Sequence, residues 1–180
     1  MLTIHVLGTE YFDERSQTFT YVDETDLQLE HSLLSVYTWE SKWHKPFLSK
    51  EPHTSEQTLD YIRSMTLNGP KADSVYTSLT ISQQQEIQDY ISNAMTATTF
   101  SNHQNSPPSR EIITSELIYY WMTEHRIPFS CETWHLNRLL TLIRVCNVKK
   151  TPPKKMSKRE IMQRNRSLNA ARRQQMGTSG

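Results

Sequence analysis

Glycine is scarce in this 180-residue chain: the four present stand alone at Gly8, Gly69, Gly177 and Gly180. Phosphate-cradling loops of the GxGxxG or GxxxxGK[ST] kind need several glycines close together, so a Rossmann or P-loop nucleotide enzyme is excluded. Only two cysteines occur, Cys131 and Cys146, both in apolar stretches, which points to buried free thiols and not to a disulfide framework. Long apolar runs are missing too. Nothing approaches the 18 or so residues a membrane-spanning helix requires, and MLTIHVLGTE lacks the basic start and small-residue cleavage site of a signal peptide. A cytoplasmic protein without a membrane partner is the expectation. Large aliphatic and Phe residues are also few: Leu, Ile, Val and Phe make up 38 of 180, and mean hydropathy is -0.67. A share of roughly a fifth lies near the boundary of disordered composition, so part of the chain should stay unpacked.

Charge is present but unevenly spread. The formal net charge of +1 conceals an arm, 149–180, with ten Lys and Arg against Glu160 alone, a net of +9. Residues 1–148 carry 10 basic and 18 acidic side chains, a net of -8. An acidic body with a basic arm suits capture of something acidic, either nucleic acid or a protein surface, or folding of the arm onto its own body.

The expected fold class is α+β: a short N-terminal antiparallel sheet followed by a mainly helical body and a basic C-terminal helix. In residues 1–31, Leu2, Ile4 and Val6 alternate with Thr3, His5 and Leu7. Tyr11-Phe12 and Phe19-Thr20-Tyr21-Val22 flank a polar turn at 13–17, and Leu27, Leu29 and His31 alternate again. From Ser32 the period becomes helical, and Lys45-Pro46 ends that helix. Thr54-Ser55-Glu56-Gln57 forms a capping box for a second helix, which stops before Asn68-Gly69-Pro70. A short turn at 74–79 and a helix from Ser82 follow. The stretch 95–110 is a polar linker containing Pro107-Pro108. Beyond it, Ile112 to Met122 predicts a nearly all-round apolar helix, and Trp134 to Cys146 its partner in a helical hairpin that forms the folding core. Thr151-Pro152-Pro153 breaks the chain before a last basic helix capped by Ser157. The domains expected are therefore a body at 1–148 (strands 1–31, helices 32–148) and an arm at 149–180.

No catalytic, cofactor-binding or metal-ligating residue is assigned. His125, Cys131, His135 and Cys146 are close in sequence, but a single C-x3-H pair without a matched second pair does not make a zinc knuckle. No G-x-S-x-G elbow presents a nucleophile, and the carboxylates of the strand region sit where solvated turns are expected. The candidates left are for partner binding. Trp39 and Trp43 lie one helical turn apart with Lys42 between them, a pattern that suits either core packing or a stacking platform. On the arm, Lys154, Lys155, Lys158, Arg159, Arg164 and Arg166 supply cations.

A resemblance narrows this. The stretches Leu29-Glu30-His31-Ser32-Leu33, Trp39-Glu40-Ser41-Lys42-Trp43, Lys45-Pro46-Phe47-Leu48, Leu59-Asp60-Tyr61-Ile62, Met65-Thr66 and Met95-Thr96-Ala97-Thr98 resemble small proteins of tailed bacteriophages. So do Glu111-Ile112-Ile113-Thr114-Ser115-Glu116, Tyr119-Tyr120-Trp121-Met122, Trp134-His135-Leu136-Asn137-Arg138-Leu139-Leu140 and Pro152-Pro153-Lys154-Lys155-Met156-Ser157. Such proteins belong to the tail-morphogenesis region. The resemblance implies a non-enzymatic tail assembly chaperone that binds the tape measure protein, or another phage tail protein, in the cytoplasm of the infected bacterial host. It also admits a structural head-tail connector or tail terminator, or a phage protein binding nucleic acid through the basic arm. No cofactor is expected in any of these roles.

Overall fold

The chain is described by a computed structural model for residues 1–13, 17–100, 111–150 and 157–177. It divides into two units, Met1–Cys146 and Asn147–Gly180. The fold class is α+β. Strands β1 (Leu2–Val6) and β4 (Thr25–Leu29) pair antiparallel, with Leu2 opposite Leu29 and Val6 opposite Thr25. Strands β2 (Thr9–Asp13) and β3 (Thr18–Val22) pair in a second antiparallel ladder. The register Ile4 opposite Leu27 puts Ile4, Val6, Leu27 and Leu29 on one face, and that face is buried while Thr3 and His5 face solvent. In the second ladder Phe12 and Phe19 lie directly opposite with ring centroids 5.1 Å apart, yet both stay exposed. Between β1 and β2, Gly8 passes close to the returning strand: a Cβ there would stand 3.4 Å from the Val22 carbonyl and the Glu24 nitrogen.

Seven α-helices occur among the described residues. Helix α1 (Leu33–Trp43) starts where Ser32 Oγ accepts from the Ser35 N–H, and ends at His44 with φ 52°, in the left-handed region. Helix α2 (Ser55–Met65) carries a reciprocal capping box between Thr54 and Gln57. Helix α3 (Asp73–Thr77) is short, and α4 (Ile81–Ser92) repeats the device with Thr80 and Gln83. Helix α5 (Ser115–Glu124), a 3-10 helix (Phe129–Thr133) and α6 (Leu136–Lys150) follow.

The backbone at 28–32 is the hub of the first unit. The Glu30 N–H donates to Met65 O and the Leu67 N–H to Gln28 O, which fastens the end of α2 to β4. The Leu136 N–H donates to His31 O, which fastens the start of α6 to the same segment. Leu33, Val36 and Trp39 of α1 bury their side chains in a core shared with Tyr61, Ile62 and Met65 of α2, Ile118 and Met122 of α5, and Leu136, Leu139 and Ile143 of α6.

Two expectations need correction here. The apolar run from Ile112 does not start a helix: Thr114 is the N-cap, Ile112 is 65% exposed, and Tyr120 also faces solvent. Two groups meet the first turn: Thr114 Oγ1 accepts from the Leu117 N–H at 3.4 Å, and the distant Glu40 Oε2 accepts from both the N–H and the Oγ of Ser115 at 2.8 and 2.5 Å. Nor is a hairpin of α5 and α6 the centre of the core. Helix α5 packs on α1, Trp134 precedes α6, and Leu140 is only half-buried while Leu139 is fully enclosed.

The second unit contains α7 (Lys158–Met176). Residues 151–156, with the Pro152-Pro153 break and the cations Lys154 and Lys155, lie outside the described residues, as do 101–110 of the polar linker. The described part of that linker, 95–100, holds no helix or strand. Among the described residues no helix is long and apolar enough to cross a membrane.

Candidate functional site

Trp39, Lys42 and Trp43 are brought together by α1, but not as a platform. Trp39 is 1% exposed, its Nε1–H donates to Gln57 O at 2.9 Å, and Phe47 and His53 meet its ring at 5.2 and 5.0 Å. Trp39 is therefore a core residue with no face left for a partner, contrary to the stacking expectation; its area is used inside the fold. Trp43 Nε1–H and the Lys42 ammonium both donate to the buried carboxylate of Asp60, with Arg63 at 3.5 Å. Burial raises the Asp60 pKa, but the Lys42 and Trp43 hydrogen bonds outweigh it and hold the group below its ordinary range. These side chains lock α1 to α2, with Trp43 half-buried and Lys42 still exposed.

Behind this corner lies a feature that sequence reading missed. A pocket of about 660 Å³ opens among α2, α3 and α4, with Phe47, Tyr61, Ile62, Tyr76, Ile87 and Ile91 contributing its apolar wall. No Asp, Glu, Lys or Arg lines it; His53, Thr58, Thr77, Gln84 and Gln88 contribute polar groups to its rim. Its signal was present in the short apolar stripes Leu59/Ile62 and Ile87/Ile91. Those stripes are too brief to show by themselves that α2 and α4 converge.

Adjoining the pocket is a buried polar chain. Tyr61 Oη and His31 Nδ1 share a hydrogen bond at 2.5 Å, and the His135 ring meets the His31 ring edge-on at 5.1 Å. His135 Nε2–H donates to Tyr90 O at 3.1 Å, and Tyr90 Oη donates to Glu30 Oε1 at 2.7 Å. The other Glu30 oxygen pairs with the Met1 ammonium at 2.7 Å. Burial, then the proximity of His135, pushes His31 down to about 3, and burial lowers His135 as well. Burial moves Tyr61 well above the ordinary phenol value, with the Glu30 and Glu40 charges adding to it. A neutral imidazole facing a phenol that resists ionisation has no proton to exchange near neutral pH, so the pair acts as a fastening between α2 and the hub.

No protein family, curated protein or solved structure matches this chain. Among the described residues no three His, Cys, Asp or Glu side chains converge as metal ligands would, and Cys131 and Cys146 are free thiols, the first buried and the second half-buried.

Of the arm candidates, Lys158, Arg159, Arg164 and Arg166 all lie on α7. Every described side chain of this 19-residue helix is exposed, including Ile161, Met162, Leu168 and Met176. Lys158, Arg159, Arg166, Arg172 and Arg173 form no ion pair among the described residues.

Proposed function

We propose that this chain is a non-enzymatic binding protein that captures a helical protein client, in the role of a phage tail assembly chaperone holding the tape measure protein soluble in the host cytoplasm before the tail tube assembles. The observation that carries this reading is α7, whose large apolar side chains and cations all face outward. Isolated helices are marginal in water, and an exposed apolar stripe on one is a surface suited to a partner. The neutral pocket of the body offers a second apolar contact of the kind a client helix uses to seat a side chain.

The test is co-expression with the tape measure protein of the same phage. The full chain keeps that protein soluble and co-purifies with it; a chain ending at Lys150 remains folded and does not. Failure of the full chain to retain it removes the chaperone role. Nucleic acid is the competing partner because six Lys and Arg lie on α7. Salt titration separates the two, since phosphate binding weakens steeply with log salt while apolar burial changes much less.

A further inference from the structure

We propose that the pocket among α2, α3 and α4 is a binding site for an uncharged aromatic molecule, seated on an aromatic floor with its polar edge toward two glutamines. This goes beyond the client-binding reading and does not depend on it.

A volume of about 660 Å³ is no packing gap: voids in close-packed interiors rarely exceed a water molecule, and ligand cavities begin at roughly 300 Å³. Tyr61, Ile62, Tyr76 and Ile87 are buried beneath it, and Phe47, Leu59 and Ile91 are half-buried at its sides. Phe47 stacks on Tyr61 with ring centroids 3.9 Å apart and on His53 at 5.0 Å. The polar ends of the aromatic groups are already engaged within the fold. Tyr61 Oη is held by His31 Nδ1, Tyr76 Oη donates to Thr66 Oγ1 at 3.1 Å, and His53 Nε2–H donates to Phe47 O at 3.2 Å. The two tyrosines therefore offer a ligand ring surface and no free hydroxyl. At the mouth, Gln84 and Gln88 stand one turn apart on α4, both exposed. Gln84 Nε2–H donates to Leu79 O at 3.0 Å, which leaves Oε1 open, and the side-chain amide of Gln88 has no hydrogen bond among the described residues.

These features select the ligand. No Asp, Glu, Lys or Arg lines the pocket, so an ion entering it would give up hydration with no fixed counter-charge in return. An uncharged group loses far less. A flat ring gains edge-to-face or offset contacts with Phe47, Tyr61 and Tyr76 that a saturated ring of the same size does not. The open groups of Gln84 and Gln88 can meet a hydroxyl or N–H on the outer edge of that ring. Four segments surround the space, 47–53, α2, α3 and α4, so it admits a compact group and not a length of helix.

The test uses the full chain near neutral pH with N-phenylnaphthylamine, an uncharged dye whose fluorescence rises in apolar surroundings. In the wild-type chain labelled at its isoleucine methyls, the dye shifts the NMR signals of Ile62, Ile87 and Ile91; shifts confined to Ile161 on α7 overturn the proposal. Thr58→Trp and Gln88→Trp fill the space from α2 and from α4, and each should weaken dye binding about tenfold, with folding checked by circular dichroism. Unchanged dye affinity in either folded variant overturns the proposal, and if neither folds the isoleucine shifts of the wild type decide it. Competition identifies the class. Naphthylmethanol displaces the dye at about one-tenth the concentration needed of naphthoate or naphthylmethylamine, which carry charge. Its saturated decahydro analogue, of the same shape class without the rings' π faces, displaces a few-fold less well. Equal displacement by a charged or by the saturated analogue overturns the proposal. Dye binding without capture of the tape measure protein upholds this inference and removes that client, whereas capture without dye binding does the reverse.

Discussion

Lowering the pH from about 7.5 to 5 should destabilise the first unit through His31. In the unfolded chain this histidine protonates near 6.5, whereas burial beside His135 holds it near 3 in the fold. The folded pKa is the lower one. The neutral form therefore contributes stability that is complete above about 6.5 and is lost as the pH falls toward 3. Each unit of pKa difference corresponds to about 1.4 kcal/mol, so His31 alone should remove about 2 kcal/mol by pH 5. His135, also lowered by burial, acts in the same sense. His5, raised chiefly by its hydrogen bond to Asp26, acts oppositely, with stability present below its unfolded pKa and lost as the pH rises. It is exposed, so solvent screens it. Burial raises Asp60, but the Lys42 and Trp43 hydrogen bonds outweigh it and hold the group below its ordinary range, so Asp60 does not add to this loss. Urea unfolding followed by tryptophan fluorescence reads the difference. His31→Gln keeps an acceptor for Tyr61 Oη without a titrating ring, and its stability should fall less than the wild type's over the same interval by about 2 kcal/mol. Parallel pH curves for the two proteins, or an NMR titration placing His31 near 6.5, would refute the argument.

Three further perturbations separate structural posts from surface. Glu40→Ala leaves the Phe47 N–H and the Ser115 N–H and Oγ without their acceptor and should cost about 3 kcal/mol, with hydrogen exchange showing early fraying of α5. Leu139→Ala should cost about 2–5 kcal/mol by chemical denaturation, and Leu140→Ala clearly less, because only the first is fully enclosed. A chain ending at Lys150 should melt within a degree or two of the full chain, since α7 buries no described side chain; a large drop would show that the arm supports the body.

What the sequence made legible was local. Ser32, the Thr54 and Gln57 box and the Lys45-Pro46 stop act over four residues or fewer, and their helix ends fall where spacing places them. The alternation at Leu2, Ile4 and Val6 and at Leu27 and Leu29 marked the buried face of a strand pair because side-chain period alone decides it. The start of α5 was legible only in part: Thr114 is a local cap, but Glu40 reaching across 75 positions to Ser115 leaves no local signal. For the same reason Trp39 could be read as core or surface: only the arrival of Phe47, His53 and Gln57 encloses it. The α7 cations were legible as charge. Arg159, Arg166 and Arg173 recur every seventh residue, so the helix expected there already put them on one face.

The hydrogen-bond pattern of the first unit also explains why function is sought elsewhere. Glu30, His31, Ser32, Ser35, Glu40, Gln57, Asp60, Ser115 and His135 are its buried polar residues, and each is engaged by a partner inside the fold. A polar group enclosed and already satisfied gains little by exchanging that partner for a substrate, and in a low-dielectric interior it loses much if the exchange is incomplete. Such groups specify one arrangement of α1, α2, α5 and α6 about the hub. On α7 the balance is reversed: apolar side chains stand in water and five cations have no ion pair among the described residues, so each contact with a partner adds stability without breaking one inside the chain. Substitutions at the buried polar positions of the first unit should therefore change unfolding, whereas those at the exposed side chains of α7 should leave unfolding of that unit unchanged.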